Sequence, residues 1–247
     1  AESSRIDSVL VGEMSACLIG TDKVLISYSN NTSGGGKVIV LTVSGTTITN
    51  NNIVNFEASE YVYTTSLTQL DTDKAIVAYK INSNTYGKAC VITISSVTPS
   101  AGTAVNFNAA ATAYISVSAL SATSAIVAYQ DGGNSSYGTS QVLSISGTTI
   151  TPGTEYVIVS AATDYISTLA MNSTQAIISY KYSGYSRLKV ATNNGGELSY
   201  GALGAGYSDA TVTPSLAKID STTFLLSFFQ GTYLGTSGCT KLCTMTG

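Results

Sequence analysis

The chain has 247 residues, only 10% of them charged, with 11 Lys and Arg against 14 Asp and Glu and a formal net charge of −3. Its basic residues are scattered, with no run to neutralise phosphates, which argues against a nucleic-acid partner. Its longest apolar runs, about five or six residues, fall far short of the roughly 20 that a spanning helix needs, so no membrane insertion is expected.

In chain order, the first strong strand signal is Lys23-Val24-Leu25-Ile26-Ser27-Tyr28, a β-branched run closed by an aromatic. Versions of it return at 74–79, 124–129, 175–180 and 223–228. The closing aromatics Tyr28, Tyr79, Tyr129, Tyr180 and Phe228 fall 51, 50, 51 and 48 residues apart. One unit is thus copied five times, and a period of about 20–50 residues marks a repeat architecture.

The third copy shows the anatomy of a unit. Residues 114–120 alternate apolar and small polar side chains, as a half-buried strand does. Residues 124–129 are apolar on both faces and need something packed above and below. A turn-rich loop follows at 130–138, then a third strand over 141–146, a Ser146-Gly147 turn and a fourth strand from Thr148. The hexapeptide Ser-Gly-Thr-Thr-Ile-Thr stands at both 44–49 and 146–151, so the turn belongs to the repeat.

Four antiparallel strands in about 50 residues make the blade of a β-propeller. The expectation is an all-β, five-bladed β-propeller of four-stranded antiparallel blades, a single domain over 1–247 with almost no helix. The fifth unit runs out after its third strand, and residues 5–10 precede the first inner strand. They are the candidate N-terminal fourth strand that closes the ring and removes the exposed sheet edges.

Cys17, Cys90, Cys239 and Cys243 sit at non-equivalent places in the repeat, which predicts buried thiols or a single bridge. With no His and no Cys-x-x-Cys, neither a metal nor another cofactor is expected. Glu57, Glu60, Asp164 and Asp209 cluster modestly in one set of rim loops and read as a solvated rim.

The stretch Ala119-Leu120-Ser121-Ala122-Thr123-Ser124-Ala125-Ile126-Val127-Ala128-Tyr129-Gln130-Asp131, continued through Ser135-Ser136-Tyr137-Gly138 to residues 142–151, resembles repeats of bacterial and bacteriophage surface or tail-associated proteins. In blade number and repeat length the chain is also similar to tachylectin-2-type lectins, though it has no Trp. These resemblances imply an extracellular, cell-surface or virion-surface location and a partner that is a cell-surface glycan or receptor.

On one rim the repeats place a Tyr beside Gly: Tyr86, Tyr137, Tyr185 and Tyr233, accompanied by Asn84, Asn134 and Asp131. An aromatic face next to amide and carboxylate groups suits a sugar, whose C–H face stacks while its hydroxyls need directional partners. The other role that fits these tyrosines is to plug their hairpin loops against the neighbouring blade. An enzyme would need a catalyst. Absence of His removes triads and most proton shuttles, and a glycosidase needs two carboxylates where the inner strands offer Glu13 alone. The expected function is therefore non-enzymatic recognition through rim loops, several weak sites acting together. The alternative is a purely structural spike, decoration or assembly module that docks other particle or surface proteins.

Overall fold

The computed structural model describes residues 5–202, 210–232 and 235–245. They form five antiparallel sheets arranged as the blades of a propeller, with one 3-10 turn at Gly132–Asn134. The first blade is β1 (Val11–Ile19), β2 (Lys23–Asn30), β3 (Gly36–Ser44) and β4 (Thr47–Glu57). The second is β5 (Val62–Asp71), β6 (Lys74–Ile81), β7 (Gly87–Ser95) and an outer strand broken into β8 (Thr98–Ala101) and β9 (Val105–Asn108). The third repeats this with β10 (Thr112–Ser121), β11 (Ser124–Asp131), β12 (Tyr137–Ser146), β13 (Thr149–Pro152) and β14 (Tyr156–Ala162). The fourth has β15 (Asp164–Ala170), β16 (Gln175–Tyr182), β17 (Tyr185–Asn194) and β18 (Glu197–Ala202). The fifth has β19 (Ala210–Lys218), β20 (Thr223–Thr232) and β21 (Gly235–Thr244).

The doubly apolar second strand follows from this stacking. Along β6, Ala75, Val77 and Tyr79 pack with Leu25, Val38 and Val40 of the first blade, while Ile76 and Ala78 face Val117, Ala125 and Val127 of the third. Alternate side chains of one strand thus fill two different interfaces, as the period of two requires. Each large side chain buried this way contributes about 1.5–3 kcal/mol. The outer strands break where Gly102 and Gly153 turn their N–H back to Val91 and Val142, each at 2.8 Å. A Cβ on Gly153 would lie 2.9 Å from the Val142 carbonyl oxygen, so glycine is what permits this approach.

Serine hydroxyls stitch the inner strands together around the axis. Ser15 Oγ accepts from Leu67 N at 3.0 Å, Ser66 Oγ from Val117 N at 3.0 Å, and Ser116 Oγ from Thr168 N at 2.9 Å. These N–H groups lie on the edge that pairs with no strand, so the small polar residues of the sequence alternation satisfy the backbone of the next blade.

The fourth strand expected at 5–10 does not form; among the described residues nothing pairs with the outer edge of β21. Local contacts hold this segment to the first blade instead. Ile6 packs with Tyr28, Ile39 and Leu41, while Asp7 Oδ2 accepts from Tyr28 Oη at 2.8 Å and Lys37 Nζ at 3.0 Å. Even so, Ile6 and Asp7 stand to the first blade as Phe56 and Glu57 stand to the second. Phe56 packs edge-on against Tyr79 at 4.9 Å, and Glu57 Oε2 accepts from Tyr79 Oη at 3.3 Å and Lys88 Nζ at 3.1 Å. Residues 5–10 therefore do the work of a preceding outer strand toward the first blade without strand pairing.

The seam between the fifth and first blades differs from the other four. Leu25, Ile76, Ile126 and Ile177 are buried at one repeat position, yet Leu225 at that position is 38% exposed. Val40, Val91 and Val142 are buried at another, where Leu242 is 60% exposed. Across the seam, Met14 and Leu18 of β1 are exposed as well. Among the described residues no hydrophobic cluster joins these two blades.

Candidate functional site

The rim residues named from the sequence lie one blade apart and have different surroundings. Tyr86 is half-buried and packs against the core between the first two blades, as a loop plug does. Asn84 is exposed and accepts from Tyr86 N at 3.1 Å, closing its own turn. Asp131 is buried; its Oδ1 accepts from Gly133 N at 2.9 Å and from Asn108 Nδ2 at 3.1 Å, so it caps the 3-10 turn and ties it to the second blade. Asn134 is exposed on that turn and Tyr137 is half-buried at the start of β12. Tyr185 is exposed, with the Arg187 guanidinium 5.4 Å from its ring centre. Tyr233 lies outside the described residues.

A different set of tyrosines converges on the axis. Every inner strand carries one extra residue near its start, a bulge between Val11 and Met14, Val62 and Thr65, Ala113 and Ser116, Asp164 and Ser167, and Val212 and Ser215. A bulge re-aims the side chain it carries. In the second, third and fourth blades that residue is Tyr63, Tyr114 and Tyr165, each 51 residues from the next. Tyr114 and Tyr165 hold φ at 51° and 50°, left-handed values that are rare for an aromatic residue. Their rings meet at 5.2 Å with an interplanar angle of 52°.

Beside them opens a cavity of about 460 Å³ lined by Glu13, Thr64, Lys80, Ala113, Tyr114 and Tyr165. Its walls come from the bulged heads of β1, β5, β10 and β15 and the tail of β6, placing it at one mouth of the ring. Lys80 Nζ lies 5.8 Å from the Tyr63 ring centre and Lys181 Nζ 5.4 Å from that of Tyr165. In the third blade the same position is Gln130, whose amide donates to Thr163 O at 2.6 Å and to Asp164 Oδ1 at 3.4 Å. Burial, then the nearby Asp164 carboxylate and Tyr165, push the Tyr114 hydroxyl pKa above its ordinary value.

The inner strand of the fourth blade begins at Asp164, earlier than the sequence suggests, so two inner strands bring an acid to this mouth rather than Glu13 alone. Of the rim acids, Glu57 is paired with Lys88, and Asp209 lies outside the described residues. Among the described residues no three Cys, Asp or Glu side chains are grouped to hold a metal. The four cysteines form no disulfide, and burial pushes the Cys90 thiol up to about 12.

No family model and no curated protein matches the sequence. Among solved structures, the chain is similar to the SapL1 lectin in complex with alpha methyl fucoside, at a TM-score of 0.57 and 13% identity, over 94% of this chain and 79% of that one. It is also similar to the polysaccharide lyase Uly1, at 0.53 and 8%, over 93% and 57%. One of two prolyl endopeptidases matches at 0.52 and 12%, over 87% of this chain and 30% of that one. The chain thus spans less than two thirds of either enzyme's length, and at these identities the likeness is one of fold.

Proposed function

We propose that this five-bladed propeller is a non-catalytic recognition module that binds glycan at the tyrosine-walled mouth of its ring. The observation that carries the reading is the recurrence of Tyr63, Tyr114 and Tyr165 at one bulge position beside a cavity of about 460 Å³. Ligand pockets fall in the range of about 300–1,000 Å³. Tyrosine rings offer a flat face to pyranose C–H groups, and Thr64, Lys80 and Glu13 supply directional partners for hydroxyls. Backbone strain at Tyr114 and Tyr165, about 1–3 kcal/mol each, points the same way, because such conformations gather at binding and catalytic sites. The fold shared with a lectin solved with a fucoside supports the reading further. The partner would be a cell-surface glycan met from outside the cell or on a particle surface, with Tyr185 and the rim loops as outer contacts.

A second reading, a structural module that docks other surface proteins, draws on the exposed Met14, Leu18, Leu225 and Leu242 at the seam. A glycan array with the wild-type protein, Tyr114→Ala and Tyr137→Ala separates the alternatives. Loss of binding in the first variant with retention in the second is expected. The reverse result would move the site to the rim, and no binding by the folded wild type would leave the docking module standing.

A further inference from the structure

Resting on that reading of the cavity, we infer that the sugar it takes carries a carboxylate, as uronic and sialic acids do. The second and fourth blades each seat a lysine over a bulge tyrosine, Lys80 on Tyr63 and Lys181 on Tyr165. Neither ammonium has an ion pair among the described residues; the two salt bridges there are Lys37 with Asp7 and Lys88 with Glu57. The repeat makes this comparison internal. Lys37 and Lys88, on the third strands, each form a salt bridge with a carboxylate, whereas Lys80 and Lys181, on the second strands, sit over an aromatic face and form none among the described residues.

The described acids near the mouth form no salt bridge with either lysine. Asp164 stands opposite Lys181 in the strand register and accepts from Gln130, and Glu13 lines the cavity from β1, in the blade next to that of Lys80, with no hydrogen bond among the described residues. The cavity therefore offers a carboxylate and an ammonium, neither in an ion pair among the described residues, from the first and second blades, and the tyrosines Tyr114 and Tyr165 from the third and fourth. A neutral sugar would satisfy Glu13 through its hydroxyls and leave Lys80 uncompensated. A sugar acid satisfies both, its ring hydroxyls donating to Glu13 and its carboxylate accepting from Lys80 in a charge-assisted hydrogen bond. Lys181, beyond Tyr165, would take the carboxylate of a second residue in an acidic chain.

Calorimetric titration of the whole protein tests this with four probes: sodium galacturonate, sodium N-acetylneuraminate, galactose and glucose. Galacturonate should bind about tenfold or more tighter than galactose, or N-acetylneuraminate by about the same factor tighter than both neutral sugars. That preference should vanish in Lys80→Met, and in the wild type it should weaken as salt is raised. Acid and neutral sugars binding equally, both abolished by Tyr114→Ala, would overturn the acidic class and leave the cavity as the glycan site. An acid preference that survives Lys80→Met and Lys181→Met would overturn the lysine assignment. No binding of any probe by the folded protein would remove the cavity reading, and the acidic class with it.

Discussion

Replacing Lys88 by Met should cost about 2–3 kcal/mol at pH 7. Its ammonium lies 3.1 Å from Glu57 Oε2, with the two side chains 22% and 9% exposed. Exposed pairs are worth about 0–1 kcal/mol, whereas removing one partner of a fully buried pair costs about 3–5. A half-covered pair falls between, and the loss is limited because Glu57 keeps Tyr79 Oη at 3.3 Å and Ser59 Oγ at 3.1 Å. At about 2–4 °C per kcal/mol for a chain of this size, the midpoint of a calorimetric melt should drop by about 4–12 °C. The pH dependence gives a second readout. Burial raises the Glu57 carboxyl, but Lys88 and Ser59 outweigh it, so its pKa lies below the usual carboxylate value. Its contribution is therefore present above the unfolded value of about 4.3 and is lost as pH falls. In the variant only burial and neutral donors remain, the carboxyl is held less firmly ionised, and proton uptake relieves it. The gap between wild type and variant should narrow from pH 7 to about pH 4. A gap under about 1 °C at pH 7, or one that stays constant with pH, would refute the reasoning.

Three further outcomes follow from the packing. Ile177→Ala should cost about 2–5 kcal/mol in urea titrations, and Leu225→Ala at the same repeat position well under half of that, because only Ile177 is buried; equal costs would mean the seam is closed in solution. Ser66→Ala strips the acceptor from Val117 N and should lose about 1–2 kcal/mol, seen as faster hydrogen exchange at that amide; unchanged exchange would show water replacing the hydroxyl. Ser135→Gly, at an exposed position with φ 53°, should gain about 1 kcal/mol in thermal melts, and a loss there would mean the hydroxyl has a partner worth more than the strain.

Much of the architecture was legible because a repeat writes its core five times. The run ending in Tyr28, Tyr79, Tyr129, Tyr180 and Phe228 marks the strand buried on both faces, and the Ser-Gly turn marks the third hairpin. The bulged tyrosines were harder to see. Tyr is a good strand former, and alternation reads straight through a bulge, so nothing local announces a left-handed φ at Tyr114. The available signal was the spacing, since Tyr63, Tyr114 and Tyr165 keep a strict 51-residue interval and the rim tyrosines do not. Asp131 reads as a ligand in a turn-rich loop, but its buried bond to Asn108 depends on a neighbouring blade that no local pattern reveals. Strand formation at 5–10 was expected because the fifth unit runs out after its third strand, whereas Asp7 is drawn to Tyr28 and Lys37, contacts about 20–30 residues away in sequence.

The two apolar faces left at the seam are not copies of one another: one is the leading surface of a blade and the other the trailing surface. Such a contact is heterologous, unlike the self-matching patch of a two-fold dimer. Made within one chain it stops at five blades, and made between chains it has no natural end and grows a filament. Chain connectivity biases the choice, since tethered surfaces meet at an effective concentration on the order of millimolar. Dilute protein should therefore stay single, and Ile6, packed on Tyr28, Ile39 and Leu41, already fills part of the first blade's side of that seam from within the same chain.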